Sequence, residues 1–330
     1  FYLPPTYDGL IPAFGVDFRL RGRLAYPDTI NLGTKLPLVV FAHGAHNAFG
    51  SVPNSITRDE NFRGYAYLQE HLAKRGFITL SVDLDQLSDF TLFKRSNPVI
   101  RARAWAILKN IEHVLAMAKP PAKDIAVDQI FLIGHSRGGQ AVIDAVHLLQ
   151  DPRSWPQGEK LDNSGWIVRG VTTFAPTSVD LADSSPLPKS VDYLLLHGSA
   201  DGDVNGAELG VRPVEHLDRA MGDKFGVRLL GANHNFFNQS WATDDATQYW
   251  DARPLPSPVG GGLMSHTDQQ LLATEFVTRF LVSRADSAAA AFMLDNYYLV
   301  PSATVALASR VIVQSRRARS RLDVLLLDDY

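Results

Sequence analysis

The sequence predicts an α/β fold, a mostly parallel central sheet with helices on both faces. Apolar runs of strand length alternate with stretches of helical spacing between residues 36 and 283. Residues 36–42 (LPLVVFA) form a continuous β-branched run, the pattern of an interior strand. Residues 130–133 are a short apolar run that passes through Gly134-His135-Ser136-Arg137-Gly138 straight into a helical stretch.

Taken in order, residues 1–35 read as loop-rich with one strand at 16–25. After strand 36–42, the spacing of Phe62, Tyr65, Leu68 and Leu72 predicts a helix over 61–75, stopped by Gly76. Residues 77–82 are the next strand and 85–98 a polar loop. A long amphipathic helix follows over 99–118, with Ile100, Ala104, Ile107, Ile111 and Val114 on one face and Pro120-Pro121 as its stop. Strand 130–133 and helix 138–150 come next, then strands at 167–174 and 191–197, a short helix at 211–221, a strand at 225–230 and a closing helix at 267–283. These place an α/β domain over residues 1–285. The remainder, 286–330, departs from that rhythm. Strands are expected there at 305–313 and 322–327, as a short C-terminal β-rich extension or the start of a further β module. The basic cluster Arg316, Arg317, Arg319 and Arg321 reads as a solvated loop between them.

Composition narrows the function. A formal net charge of −3 over 330 residues lacks the basic bias of a nucleic-acid binder. No stretch reaches the roughly 18 apolar residues of a membrane span. With no cysteine the chain has neither disulfides nor a thiolate nucleophile. The sequence also lacks a phosphate-binding glycine loop and a His/carboxylate metal spacing, so no cofactor and no metal are expected. The chain opens on Phe1 rather than methionine, which favours an exported, processed protein as the expectation.

The 130–150 segment carries the chemistry. A Gly-x-Ser-x-Gly sequence between a buried strand and a helix is the setting of a nucleophile elbow. Gly134 and Gly138 are required because a Cβ at either would meet the neighbouring strand or helix. The turn lifts Ser136 above the sheet and leaves the Arg137 amide at a helix N-terminus, aimed at whatever Ser136 attacks. A serine hydroxyl needs a base, and the base an orienting acid. Downstream strand ends supply both, in the order acid then histidine: Gly198-Ser199-Ala200-Asp201-Gly202-Asp203-Val204, then Gly231-Ala232-Asn233-His234. Asp203 competes with Asp201 as the acid. His266, expected near a helix N-cap, is the alternative base. Ligands gather at the carboxyl ends of parallel strands, where all three groups project.

On His43-Gly44-Ala45, Gly134-His135-Ser136-Arg137-Gly138, Gly198-x-x-Asp201-x-x-Val204 and Gly231-Ala232-Asn233-His234, the chain resembles the α/β-hydrolase superfamily. Within it, the resemblance is to the bacterial lipase, cutinase and polyester-hydrolase branch and its dienelactone-hydrolase-like relatives. It covers roughly residues 15–285. The resemblance implies an α/β-hydrolase fold, with Ser136 as nucleophile, Asp201 as acid and His234 as base. It also implies an oxyanion hole made by the backbone N–H groups of Arg137 and Ala45. The expected activity is hydrolysis of carboxylic esters, with a small-molecule or lipid ester as the partner. The same triad would serve an acyltransferase or thioesterase, and a non-catalytic binding protein on this scaffold is the third reading. His43 is expected to fix the oxyanion loop with its ring, and His135 to pack beneath the elbow. His46, Trp155 and Trp241, with Trp250, are the candidates to line a substrate pocket.

Overall fold

The computed structural model describes residues 8–11, 16–31, 33–45, 60–88, 97–118, 120–178, 186–204, 213–246, 262–285, 307 and 310–316. Strands β1 (Asp8–Ile11) and β2 (Val16–Arg19) pair antiparallel as a separate two-stranded sheet. The main sheet holds eight strands. These are β3 (Gly22–Ala25), β4 (Leu36–Ala42), β5 (Ile78–Val82), β6 (Ile125–His135), β7 (Val168–Phe174), β8 (Asp192–Gly198), β9 (Lys224–Leu229) and β10 (Val311–Arg316). Their spatial order is β10-β9-β8-β7-β6-β4-β5-β3. All neighbouring pairs from β5 to β9 are parallel; β3 and β10 close the two edges antiparallel.

Side-chain alternation shows why the sheet needs helices on both sides. Along β4, Leu38, Val40 and Ala42 enter one apolar cluster, whereas Val39 and Phe41 enter the other. On β6, Ile130 and Leu132 oppose Phe131 and Ile133 in the same way. A strand buried on both faces must be apolar at every position, which is what the continuous runs encode. Helices α2 (Asn97–Leu115) and α3 (Arg137–Gln150) cover the first face through Ile107, Ile111, Val142 and Val146. Helices α1 (Ala66–Ala73) and α5 (His266–Ala285) cover the second through Leu68, Leu72, Val277 and Phe280. The short α4 (Pro213–Arg219) adds Leu217 to the first cluster.

The order of strands fixes where a site can lie. From β4 the chain crosses to β5 on one side, and from β6 it crosses to β7 on the other, although β4 and β6 are neighbours. Their connections therefore leave in opposite directions and open a crevice at the carboxyl ends of this pair. Ala42, the last residue of β4, is in register with Gly134 of β6. His43–Ala45 and Ser136 thus begin on the two banks of that crevice.

Three elements differ from the sequence-based expectation. The single strand expected over 16–25 is two strands in two sheets, broken at Leu20–Arg21. The helix expected over 61–75 begins as a 3₁₀ turn, Asn61–Tyr65, and becomes α-helical only at Ala66. In the tail, the strand expected at 305–313 is β10 at Val311–Arg316. It is the edge strand of the main sheet, paired with β9 over its whole length. The strand expected at 322–327, and the arginines beyond Arg316, lie outside the described residues.

The clearances at the β6–α3 turn explain two invariants of the motif in steric terms. A Cβ on Gly138 would lie 2.1 Å from the Ala42 carbonyl oxygen and 2.6 Å from that of His43. One on Gly134 would lie 2.2 Å from the Gly138 carbonyl oxygen. Both obstacles are backbone, so neither can swing away. Gly138→Ala is accordingly expected to lower unfolding stability by roughly 1–3 kcal/mol, as overpacking does elsewhere. Urea unfolding followed by tryptophan fluorescence checks this; an unchanged midpoint would show that α3 lifts off β4 without cost.

Candidate active site

Ser136 stands at the junction of β6 and α3 with φ +56° and ψ −123°. A non-glycine residue rarely adopts positive φ, and here the surroundings over-determine it. Its amide donates to the Phe174 carbonyl at 2.9 Å, and its own carbonyl accepts from Gly139 at 2.9 Å and Thr177 at 3.1 Å. Although Ser136 is the N-cap of α3, its hydroxyl makes no capping bond to the helix. Arg137 is the first residue of α3, so its amide lies at the positive end of the helix dipole.

The acid and the histidine come from the ends of β8 and β9, the second and third parallel strands after β6. Past β8, the 201–204 turn folds around the Asp201 carboxylate, whose Oδ1 accepts from the Asp203 amide at 3.0 Å and the Val204 amide at 2.6 Å. Past β9, the turn through Gly231 brings in His234, and its Nδ1 lies 2.9 Å from Asp201 Oδ2. A carboxylate only accepts, so Nδ1 carries the proton and Nε2 is left as the basic nitrogen. Both side chains are buried. Asp203, the competing acid, has a side chain 63 % exposed, and its Oδ2 sits 3.5 Å from His234 Nε2. The buried partner on Nδ1 is therefore Asp201, while Asp203 stands at the outer edge of the ring.

Electrostatics follow from this geometry. Burial opposes charge on His234, but Asp201, its hydrogen bond, Asp203 and Asp245 outweigh it and raise the imidazole to about 9. Burial likewise opposes charge on Asp201. The facing His234 still holds that carboxyl below its ordinary range.

Several residues that place Asp201 and His234 carry no local motif. Asp245 accepts from the Gly202 amide at 2.7 Å, the His234 amide at 3.2 Å and the Asn235 amide at 3.0 Å. One carboxylate thus ties the acid turn to the histidine turn. On α5, Gln269 accepts from the Asn233 amide at 3.0 Å and donates to the Asn233 carbonyl at 2.8 Å. Asn61 donates to Asp85 at 2.6 Å and accepts from the Trp241 indole N–H at 2.6 Å. Beneath the elbow, His135 is fully buried among Tyr65, Phe174, Phe237, Trp241 and His234, with its ring 4.7 Å from that of His234.

The oxyanion-loop candidates behave in different ways. A Cβ on Gly44 would lie 2.8 Å from Ser136 Cβ and 2.9 Å from the Trp241 ring, so this backbone is wedged against both. The His43 ring accepts the Leu84 amide on Nε2 at 2.8 Å, and its Nδ1–H donates to the Gly44 carbonyl at 2.6 Å. That pattern requires a neutral ring. Burial and the nearby Arg103 push its pKa down to about 3, in agreement. Ala45 follows directly and is half-buried.

The pocket candidates separate as well. Trp241 reaches the site but is buried as a wall behind His135 and His234, not exposed on a rim. Trp155 does not reach it. Its indole N–H donates to the Leu148 carbonyl at 2.6 Å and its ring packs on Trp105. Leu148 is twelve residues along α3 from Ser136, about 18 Å at 1.5 Å per residue. Trp155 thus plugs the α2–α3 interface. His46 and Trp250 lie outside the described residues. His266 is the first residue of α5, directly after Ser265, whose hydroxyl accepts from the Asp268 amide at 3.1 Å. It contacts Gln270 and the Asn238 carbonyl, not the triad acid.

Among the described residues, His43, Asp83 and Asp85 bring potential metal-ligand atoms within 4.8 Å of one another. Those atoms are already engaged: His43 Nε2 with Leu84, Asp83 with the Asp85 amide and Asp85 with Asn61. The group reads as a hydrogen-bonded network under the oxyanion loop. No helix among the described residues is long and apolar enough to cross a membrane. No protein-family model matches the chain, and no curated protein matches it.

Two outcomes follow from this geometry. Asp245→Ala strands three backbone amides and should cost roughly 2–4 kcal/mol of stability, given what hydrogen bonds to charged groups contribute; urea unfolding measures it. For the histidine, only the neutral form can accept a proton. A pKa near 9 therefore makes any turnover that uses His234 rise with pH and level off above about 9. Asp203→Asn removes one of the charges that raise this pKa, so its kcat/KM profile should level off at lower pH. Coincident profiles for the two proteins would refute the role given to Asp203.

Proposed function

We propose that the chain is a serine hydrolase of carboxylic esters on an α/β-hydrolase-type fold. The observation that carries the reading is the union of a positive-φ serine at a β–α turn with a buried Asp201–His234 pair delivered by the ends of β8 and β9. Chain order, Ser136 then Asp201 then His234, is that of the α/β-hydrolase triad. The alternating sheet, with Ser136 at the crevice between oppositely connected strands, agrees with it.

In this reading Ser136 Oγ attacks the acyl carbon while its proton passes to His234 Nε2. Asp201 holds the Nδ1–H and stabilises the imidazolium. The negative charge that collects on the carbonyl oxygen is met by the amides of Arg137 and Ala45. His234 then gives its proton to the departing alkoxide. Water attacks the acyl-enzyme, His234 takes its proton, and Ser136 leaves with that proton returned. Asp203 stands 3.5 Å from Nε2, the nitrogen that takes up the proton. Every step uses groups of this chain and needs no further reactant than ester and water.

A p-nitrophenyl ester series from acetate to palmitate, run on the wild-type protein and on Ser136→Ala, tests the proposal. Ser136→Ala should lose on the order of 10⁴–10⁶ in kcat, as disabled serine triads do. Retained turnover in that variant would overturn the esterase reading, and a wild-type rate no higher than the buffer background would favour a binding protein on this scaffold. Product analysis with added alcohols separates hydrolysis from acyl transfer.

A further inference from the structure

The largest charged side chain buried near the site is absent from the triad. Arg103, on α2, is fully buried beneath the loop that follows β4. Its Nη2 donates to the His43 carbonyl and, at 3.4 Å, to the Gly44 carbonyl. Its Nη1 donates to the Leu84 and Leu87 carbonyls at 3.3 Å each and to Ser88 Oγ at 2.8 Å. The guanidinium thus stands on the 84–88 turn and grips the oxyanion loop from below. Burial and the neighbouring Arg137 lower its pKa to about 9, which leaves it charged at neutral pH.

A buried cation is an expensive way to fill space. Asp85 and Asp83 lie near enough to offset part of its charge, but its hydrogen bonds go to neutral carbonyls and a hydroxyl, and an apolar side chain of similar volume is often cheaper to bury. What the cation supplies is direction and polarisation. In a planar trans peptide the C=O and the N–H point opposite ways. Arg103 and the His43 ring both hold the Gly44 carbonyl, so the Ala45 N–H of that same peptide is turned away from them. The face of Gly44 on which a Cβ would sit lies against Ser136, so this peptide stands beside the nucleophile. A carbonyl bound to a cation also makes the N–H at the other end of its peptide a stronger donor.

We infer that Arg103 is a positioning residue for the oxyanion hole, aiming and polarising the Gly44–Ala45 peptide so that the Ala45 N–H meets the developing negative charge. This rests on the ester-hydrolase reading and adds to it a residue that touches neither substrate nor triad.

The test compares wild type, Arg103→Gln and Arg103→Lys with a short-chain p-nitrophenyl ester, each normalised to the sites titrated by an alkyl phosphonate. Losing one oxyanion donor outright costs 10²–10³ in kcat. Arg103→Gln keeps the donor but loses its orientation, so kcat per titrated site should fall about 10- to 100-fold, with KM within about threefold. Phenylboronic acid, which forms a tetrahedral anion on an activated serine, should bind more weakly by a matching factor. Arg103→Lys keeps the charge and should recover part of the kcat. A kcat per titrated site within twofold of wild type in Arg103→Gln overturns the inference, as does a loss confined to KM. If Arg103→Gln yields no folded protein, Arg103→Lys decides alone. One ammonium cannot span both the 84–88 turn and the His43 and Gly44 carbonyls, so about a 3- to 10-fold lower kcat is expected, and an unchanged kcat overturns. Ser136→Ala keeps the two ideas apart. Turnover surviving in Ser136→Ala removes the hydrolase reading itself, whereas a dead Ser136→Ala beside a normal Arg103→Gln removes only the role of Arg103.

Discussion

The backbone of Ser136 is the constraint on which the rest depends. A residue at φ +56° between a strand and a helix is tolerable only if the chain on both sides is locked. The lock is a close three-way approach of backbones. Gly134 lies against Gly138 and Gly139, and Gly138 lies against the end of β4. This approach brings the start of α3, with its positive dipole end, to the residues that follow β4. The two halves of a potential anion site are thus set by the same clearance that makes the turn possible. A larger residue at either glycine would therefore disturb stability and site geometry together.

Once that turn is fixed, polar satisfaction organises what surrounds it. The acid turn and the histidine turn are irregular, and irregular backbone that is buried must find partners for its N–H groups. Asp201 satisfies two amides of its own turn with one oxygen and holds His234 with the other. Asp245 satisfies amides on both turns. Gln269 closes both polar groups of the Asn233 backbone, which places the residue just before the histidine. The loops are held by carboxylates and amides as well as by buried apolar residues such as Ala232 and Phe237, and the same negative charges raise the pKa of the imidazole they surround. Anchoring and electrostatic tuning share one set of groups.

That division also explains what the sequence made legible. Gly134, Ser136 and Gly138 could be read because their roles are contiguous in the chain and rest on local sterics. Asp201 and His234 were readable because each follows a strong apolar run, so that strand ends marked where to look. Asp245, Gln269 and Arg103 were not readable, since each acts at a distance along the chain. Arg103 serves His43, sixty residues away, and from the sequence it is one polar position on an amphipathic helix. Trp241 was a pocket candidate because it lies in an irregular stretch, but its contacts with Asn61 and His135 hold it inside. For the 16–25 segment and for the tail strand expected at 305–313, the local pattern found extended chain but not its bounds, which are 16–19 and 22–25 in one case and 311–316 in the other. Which sheet each joined depended on distant partners, β5 and β9, that no local pattern encodes.

The charges buried at the site then fall into a simple arrangement. Negative groups, Asp201 and Asp245, gather behind His234, where positive charge would form when it accepts a proton. Positive groups, Arg103 and the N-terminus of α3, gather behind the loop after β4 and the first amides after Ser136, where negative charge would form on a bound carbonyl oxygen. In a water-poor interior each is worth more than at the surface. Each buried charge also has a counter-charge of its own, Asp201 with His234 and Arg103 with Asp85 and Asp83, so the site is tuned without leaving an ion uncompensated.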